Sequence, residues 1–187
     1  MEEDKYQKDE HTISALEGNI KALPFLIPVV FLFGIPFYLI WGFPFGQLTE
    51  FANSGMFRIV VNLAIFAAGI VLHELIHGLT WAVFSKNGLK SIRFGMLKPS
   101  MTPYCHCKEI MRVNDYRIGI IMPAIITGFI PSIIAIAIGN SVLLVFGMLF
   151  SIAAAGDFMV LWMLRKERNS LVKDHPSRIG YVVYKEA

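Results

Sequence analysis

Ile59–Phe84 reads IVVNLAIFAAGIVLHELIHGLTWAVF, 26 residues in which only His73, Glu74 and His77 are ionisable. A helix rising about 1.5 Å per residue needs about 20 apolar residues to cross a hydrocarbon core of about 30 Å, so this stretch is read as a membrane-spanning helix. Its polar residues sit among Ile70, Val71, Leu72, Leu75, Ile76 and Leu79. A charge at the centre of such a helix costs roughly 2.5–3.5 kcal/mol on insertion scales, so ionisable side chains there are expected to pair, line a wet cavity or bind an ion.

Three further apolar runs accompany it. Residues 22–43 are interrupted by Pro24, Pro28 and Pro36, residues 118–138 carry Pro123 and Pro131, and the last run covers 142–164. The four runs take about half of the 187 residues, in keeping with a chain that is 55% hydrophobic and 17% charged and holds 15 Phe. That composition excludes disorder, a collagen-like chain and an ordinary soluble enzyme. The expected fold is an all-α membrane protein, one membrane-embedded domain over 1–187 with four transmembrane helices. Residues 1–21 and 165–187 are expected as cytoplasmic tails and 85–117 as a cytoplasmic loop between the second and third helices. Within the loop, Ser91–Leu97 and Tyr104–Val113 are apolar or alternating on either side of Pro99, Ser100 and Pro103, the pattern of a small hairpin.

All but one of the 17 basic residues lie in the N-terminal segment, the 85–117 loop and the C-terminal segment, Arg58 being the exception. With four spans these segments share a side, and the positive-inside rule makes that side cytoplasmic, with both termini there and the chain in the cell membrane. Glu2, Glu3, Asp4, Asp9 and Glu10 stand where a signal peptide would carry basic residues, so the first span is expected to be retained. A net charge of +3 gives no basis for a nucleic-acid partner. Cys105 and Cys107 are too close for a disulfide framework and too few for a cysteine-only zinc site. In a reducing compartment they are expected as thiols.

The ionisable trio of the second span has a chemistry. Two His four residues apart on a helix lie about 40° apart around its axis, so both imidazoles can reach one ion, and the Glu between them can hold a water. Zinc suits two neutral imidazoles and one further ligand, with the fourth position left for water whose pKa the metal lowers toward about 7. Glu74 would act as general base, taking the water's proton and passing it to a leaving amine. The competing reading is a polar interhelical contact without metal.

The further ligand is expected to be Asp157, in Ala153-Ala-Ala-Gly-Asp157, where small residues let another helix approach. His77 lies seven residues before Phe84 and Asp157 seven before Leu164. Both spans run in the same direction, so both side chains fall about 10 Å inside one boundary. A buried salt bridge or an ion-pathway carboxylate is the alternative for Asp157. Glu109 and His106, in the loop, are the competing third ligands.

His73-Glu-Leu-Ile-His77-Gly78 in an apolar helix, Tyr104-Cys-His-Cys-Lys-Glu109 in a short loop and Gly156-Asp157 in a later span resemble a family of small bacterial multi-pass membrane proteins described as putative zincin peptidases. The similarity covers about Ile59 to Leu164. More distantly, the chain resembles the site-2 protease group of intramembrane zinc metalloproteases, whose His-Glu-x-x-His helix and later Asp map onto His73, Glu74, His77 and Asp157. Here Asp157 follows Ala155-Gly156 instead of the group's usual Asn-Pro-x-Asp or Leu-Asp-Gly context, and the length leaves no room for a PDZ-like domain.

Other residues admit plainer uses. Asn62, Gly69, His73, Thr80 and Phe84 fall near one helical face, where Asn62 or Thr80 could orient a ligand or simply bond a neighbouring helix. Thr127 and Ser132, between Pro123 and Pro131, mark either a broken helix that admits water or ordinary proline kinks. On a strand, Cys105 and Cys107 would face away from His106, which argues against a shared metal. Trp41, Trp81 and Trp162 near span ends are read as interface anchors, and Arg165, Lys166 and Arg168 as headgroup anchors. His11 and His175 are read as solvated.

The function expected is a membrane-embedded zinc metallopeptidase hydrolysing peptide bonds near the cytoplasmic face, its partners a peptide or membrane-protein substrate and the lipid bilayer. An extended substrate could add to the free edge of the loop hairpin. The alternatives are a non-catalytic membrane protein whose metal or polar cluster is structural or sensory, and a proton-coupled transporter, for which no internal repeat speaks. A membrane di-iron oxygenase would need several His boxes, and the chain has 5 His in all.

Overall fold

The computed structural model describes residues 6–14, 17, 23–53, 55–97, 102–176 and 178–186. The Pro99–Ser100 turn, the acidic residues Glu2 to Asp4 and the expected start of the first span at Ala22 lie outside them. In chain order the elements are strand β1 (Tyr6–Ile13), helix α1 (Leu26–Trp41), α2 (Phe45–Ala52), α3 (Met56–Phe84), β2 (Ile92–Leu97), β3 (Thr102–Cys107), β4 (Ile110–Arg112), α4 (Val113–Ile138), α5 (Ser141–Ala153), α6 (Ala155–Leu164), β5 (Leu171–Asp174) and β6 (Ile179–Glu186).

The chain is therefore not all-α. Among the described residues six strands form two antiparallel sheets, one of four strands in the order β1-β6-β5-β4 and one of two, β2-β3. The two segments read as plain tails supply three of these strands: Tyr6 pairs with Glu186 at one end of the β1–β6 ladder and Ile13 with Ile179 at the other. Alternation explains why they pair. Tyr181 and Val183 of β6 and Val172 of β5 point one way and are buried, whereas Lys173 and the β1 residues Lys8 and Glu10 belong to the opposite face. Burying one side chain of this size contributes about 1.5–3 kcal/mol, enough for three of them to order a polar ribbon.

The expectation of four transmembrane helices also needs correction. Among the described residues two helices, α3 and α4, are long and apolar enough to cross a membrane, and the number rises to four only if the bent pairs α1–α2 and α5–α6 each count as one span. The α1–α2 pair turns by 98°. Gly42 sits at that turn with φ of 78°, a left-handed conformation that Gly adopts without penalty, and Pro44 precedes α2.

Contact clustering divides the chain into two units: residues 1–21, 74–122 and 156–187 form one, and 22–73 with 123–155 the other. The second unit is a helical packing of small residues and Phe. Val29, Phe33 and Phe37, four residues apart along α1, bury one stripe among Ala135 and Leu144. In α4 a π-helical turn, Ala124–Phe129, follows Pro123, as expected where proline removes an N–H from the helical ladder. Gly128 and Gly147 let α4 and α5 approach so closely that a Cβ on Gly147 would stand 2.4 Å from Ser132 Oγ. Thr127, Ser132 and Ser151 all turn their hydroxyls onto the carbonyl four residues back, so these buried hydroxyls are satisfied within their own helices. Neighbouring apolar side chains such as Leu39, Ile40, Phe57 and Leu63 are exposed, the arrangement expected of helices whose outer solvent is hydrocarbon.

The first unit joins the four-stranded sheet to the β2–β3 hairpin, the last part of α3, the first part of α4, and α6. Its core holds Trp81, Val113, Tyr116, Ile120, Leu164, Val172, Tyr181 and Val183. Arg117 ties α4 to the end of α6 by donating to the carbonyls of Leu164 and Glu167 at 2.6 and 2.8 Å.

Candidate metal centre

His73 and His77 stand one turn apart on α3, an uninterrupted helix of 29 residues. Asp157 lies in the first turn of α6. One ligand atom from each of His73, His77 and Asp157 falls within 4.8 Å of the others. The sharpest pair is His77 Nε2 and Asp157 Oδ1, 3.4 Å apart.

The other nitrogen of His77 explains why that face is presented. His77 Nδ1 lies 2.8 Å from the carbonyl oxygen of Gly119 on α4, and since a carbonyl can only accept, Nδ1 carries a proton and Nε2 is the ring nitrogen that faces Asp157. In a regular helix the Gly119 carbonyl would receive the N–H of residue 123, but that residue is Pro123 and has none. Gly119 itself is required by the close approach of the two helices: a Cβ there would lie 2.0 Å from Trp81 Nε1. Trp81 is buried, stacks on the His77 ring at 5.2 Å and on the Tyr116 ring at 5.3 Å, and donates Nε1–H to the Tyr116 carbonyl at 3.1 Å. It is a packing residue of the site and not the interface anchor its position near the span end led us to expect. Trp41 and Trp162 are half exposed or more.

Two imidazole nitrogens and a carboxylate oxygen are a donor set that zinc takes in catalytic sites. Bonds of about 2.0–2.1 Å in tetrahedral geometry separate neighbouring ligand atoms by about 3.3–3.5 Å, and the His77–Asp157 pair already has that separation. The residues present therefore fit the ion. Asp157 retains 23% exposure of its side chain where His77 keeps 7%, so the open side of the cluster is the carboxylate side.

The competing ligands are engaged elsewhere. Glu109 accepts from the Lys86 and Asn87 backbone, the Asn87 amide and the Ser91 hydroxyl, closing the turn between α3 and β2. Chiefly the Ser91 bond, then Asn87 and Lys86, holds its carboxyl below the usual range against the opposing effect of burial. His106 Nδ1 pairs with Asp174 Oδ2 at 2.8 Å. Cys105 and Cys107 flank His106 on β3 as free thiols; burial first, then the Glu74 and Asp174 carboxylates, pushes the Cys105 thiol well above its ordinary value, so it stays protonated. Cys107 is likewise raised by burial, and the three residues form no metal cluster among the described residues. Asn62 and Thr80 bond their own helix, to the carbonyls of Arg58 and Ile76. His11 stacks on Tyr181 at 5.3 Å, and His175 Nδ1 accepts from the Arg178 backbone, so neither is simply solvated.

Sequence reasoning missed Gly119, Pro123 and Asp174. The glycine–proline spacing of four inside an apolar helix was the available signal for a carbonyl free to orient a ligand; Asp174, in a segment read as a tail, gave none.

Among the described residues, two to four elements are long and apolar enough to cross a membrane, and two His and one Asp stand where they could hold a metal ion. The family described as putative zincin peptidase matches residues 66–172, over half of the chain, and the chain belongs to that family. Membership supports a zinc metallopeptidase. No curated protein and no solved structure matches the chain.

Proposed function

We propose that this chain is a membrane-embedded zinc metallopeptidase in which His73, His77 and Asp157 hold the ion and Glu74 is the general base, cleaving peptide bonds near the cytoplasmic face. The observation that carries the reading is His77, whose Nδ1 is committed to Gly119 while Nε2 stands 3.4 Å from Asp157. Zinc, when bound, supplies Lewis acidity toward a water and a substrate carbonyl. Glu74, between the two His on the same helix, would take a proton from the attacking water on its carboxylate and return it to the departing amine. His77 contributes a ring that cannot rotate away, since Gly119 and the Trp81 stack hold it.

The β2–β3 hairpin supports an extended substrate. Ile92 and Phe94 of β2 pack against Gly78, the residue after His77, where a Cβ would stand 2.9 and 2.4 Å from them. β2 pairs only with β3 among the described residues, so its other edge can accept a peptide strand with its carbonyls unwound for attack. The pairing of β1 with β6 supports both segments lying on one side of a bilayer, with an even number of crossings between them. The basic residues of those segments and of the 85–117 loop favour the cytoplasm as that side. The likeness to site-2 proteases in the His-Glu-x-x-His and Asp pattern agrees with a peptide or membrane-protein substrate.

Metal content and turnover test the reading together. Purified wild type should hold one zinc, Asp157→Ala should lose it, and Glu74→Gln should keep it while peptide cleavage falls by at least about 10²-fold. Zinc unchanged in Asp157→Ala would remove Asp157 from the ligand set, and wild-type cleavage by Glu74→Gln would overturn the mechanism.

A further inference from the structure

We propose that the outer face of the four-stranded sheet carries a binding site for a phosphoryl group, distinct from the metal cluster. A cavity of about 350 Å³ opens there, lined by Lys8, His106, Lys108, Lys173, Asp174 and Tyr184 among others. The strand register explains its composition. Lys8 pairs with Tyr184, while Glu10 and Lys173 both pair with Val182, so these side chains share the face opposite the buried Val172 and Val183. β3 supplies the wall through His106, and Lys108 follows it.

Two independent features make this a built site. His106 is only 7% exposed, and its Nδ1 is fixed by Asp174, leaving Nε2 as the ring nitrogen for a ligand. Asp174 is fully occupied: Oδ2 takes His106 and the Cys107 N–H, and Oδ1 takes the Tyr116 hydroxyl at 2.6 Å. These bonds hold the wall, and Asp174 keeps its negative charge. Three lysines from three separate segments line the cavity with two carboxylates, Glu10 and Asp174, an excess of one positive charge. Lys8 additionally lies over the Tyr184 ring, 5.6 Å from its centroid.

The ligand's chemistry follows from the donors. Among the described residues no Arg lines the cavity, so the planar fork that favours a carboxylate is missing there, whereas lysines act as point charges suited to a compact, multiply charged anion. Val182, Tyr184 and Pro176 offer an apolar margin for the body that carries it. A phosphate ester meets both demands, whether as a soluble metabolite or as a lipid headgroup.

The test uses the full chain and inorganic phosphate, followed by calorimetry in detergent. Saturable one-to-one binding is expected, weakened at least tenfold in the double variant Lys108→Gln, Lys173→Gln, with its thermal unfolding unchanged. In nanodiscs, phosphate affinity at least tenfold lower with phosphatidic acid than with phosphatidylcholine would assign the group to a lipid. Equal affinity in the two would assign it to a soluble ester. Absence of saturable binding, or equal binding by the double variant, would overturn the proposal. Neither lysine touches the metal cluster, so the result is independent of the peptidase reading.

Discussion

His77 donates its Nδ1–H to the carbonyl of Gly119 at 2.8 Å, and Pro123, four residues beyond Gly119, leaves that carbonyl unclaimed by the helix. A proline commonly viewed as a kink thus decides which ring nitrogen of His77 faces the candidate metal cluster. Pro123→Ala would give residue 123 an N–H directed at the same oxygen. The expected result is about tenfold weaker zinc binding, at the lower end of the 10–100-fold effects of such outer partners, with unchanged helix content. Competition against a chelator of known affinity measures it.

Gly119→Ala tests the approach of α4 to α3 by steric means. The added methyl would meet Trp81 Nε1 at 2.0 Å and Cδ1 at 2.1 Å. Overpacking of a tight contact costs typically about 1–3 kcal/mol, so the variant should melt earlier and shift the fluorescence of Trp81. An unchanged melting profile would show that the indole moves aside freely.

How much of this was readable beforehand differs between the site and the fold. His73, Glu74, His77 and Asp157 stand out because ionisable groups are costly in apolar helices, and the common seven-residue offset from the ends of their runs matched them in depth. The sheet was not legible. β1 is Tyr6-Gln-Lys-Asp-Glu-His-Thr-Ile13, polar along nearly its whole length, and its partner begins 166 residues after its last residue. Local pattern cannot report a pairing over that distance. The 85–117 loop fared better because its hairpin is local, with Ile92 opposite Cys107 and Leu97 opposite Thr102. Trp81 was misread because depth near a span end says nothing about which side of the helix a ring occupies.

Glu109 should give a pH signature. Its carboxyl is held below the ordinary value of about 4.5 by Ser91, Asn87 and Lys86. The stabilisation is therefore present above that value and lost as pH falls through the lower, folded-state value. Glu109→Gln should lower stability at pH 7 by roughly 1–3 kcal/mol, and the gap from wild type should narrow below pH 4. Zinc content should stay the same. Thermal unfolding across pH 3–8 reads the first, and metal analysis the second.

Gly180→Ala addresses the sheet. Gly180 has φ of 139°, and a Cβ would stand 2.0 Å from the carbonyl oxygen of His11 on the paired strand. Backbone cannot yield as a side chain does, so β1 should detach, with faster hydrogen exchange over residues 6–13 and a stability loss above about 2 kcal/mol. Exchange equal to wild type would show that the ladder tolerates the methyl.

The β1–β6 ladder also sets a timetable. β1 is synthesised before α1 to α6 and β6 after them, so β1 waits through the synthesis of those helices before its partner exists. Asp174, which secures Tyr116 on α4 and His106 on β3, arrives in the same late stretch. The surroundings of the candidate metal cluster are therefore completed only once the helices have been made, and a chain grown as far as Leu164 carries His73, His77 and Asp157 without β5 and β6.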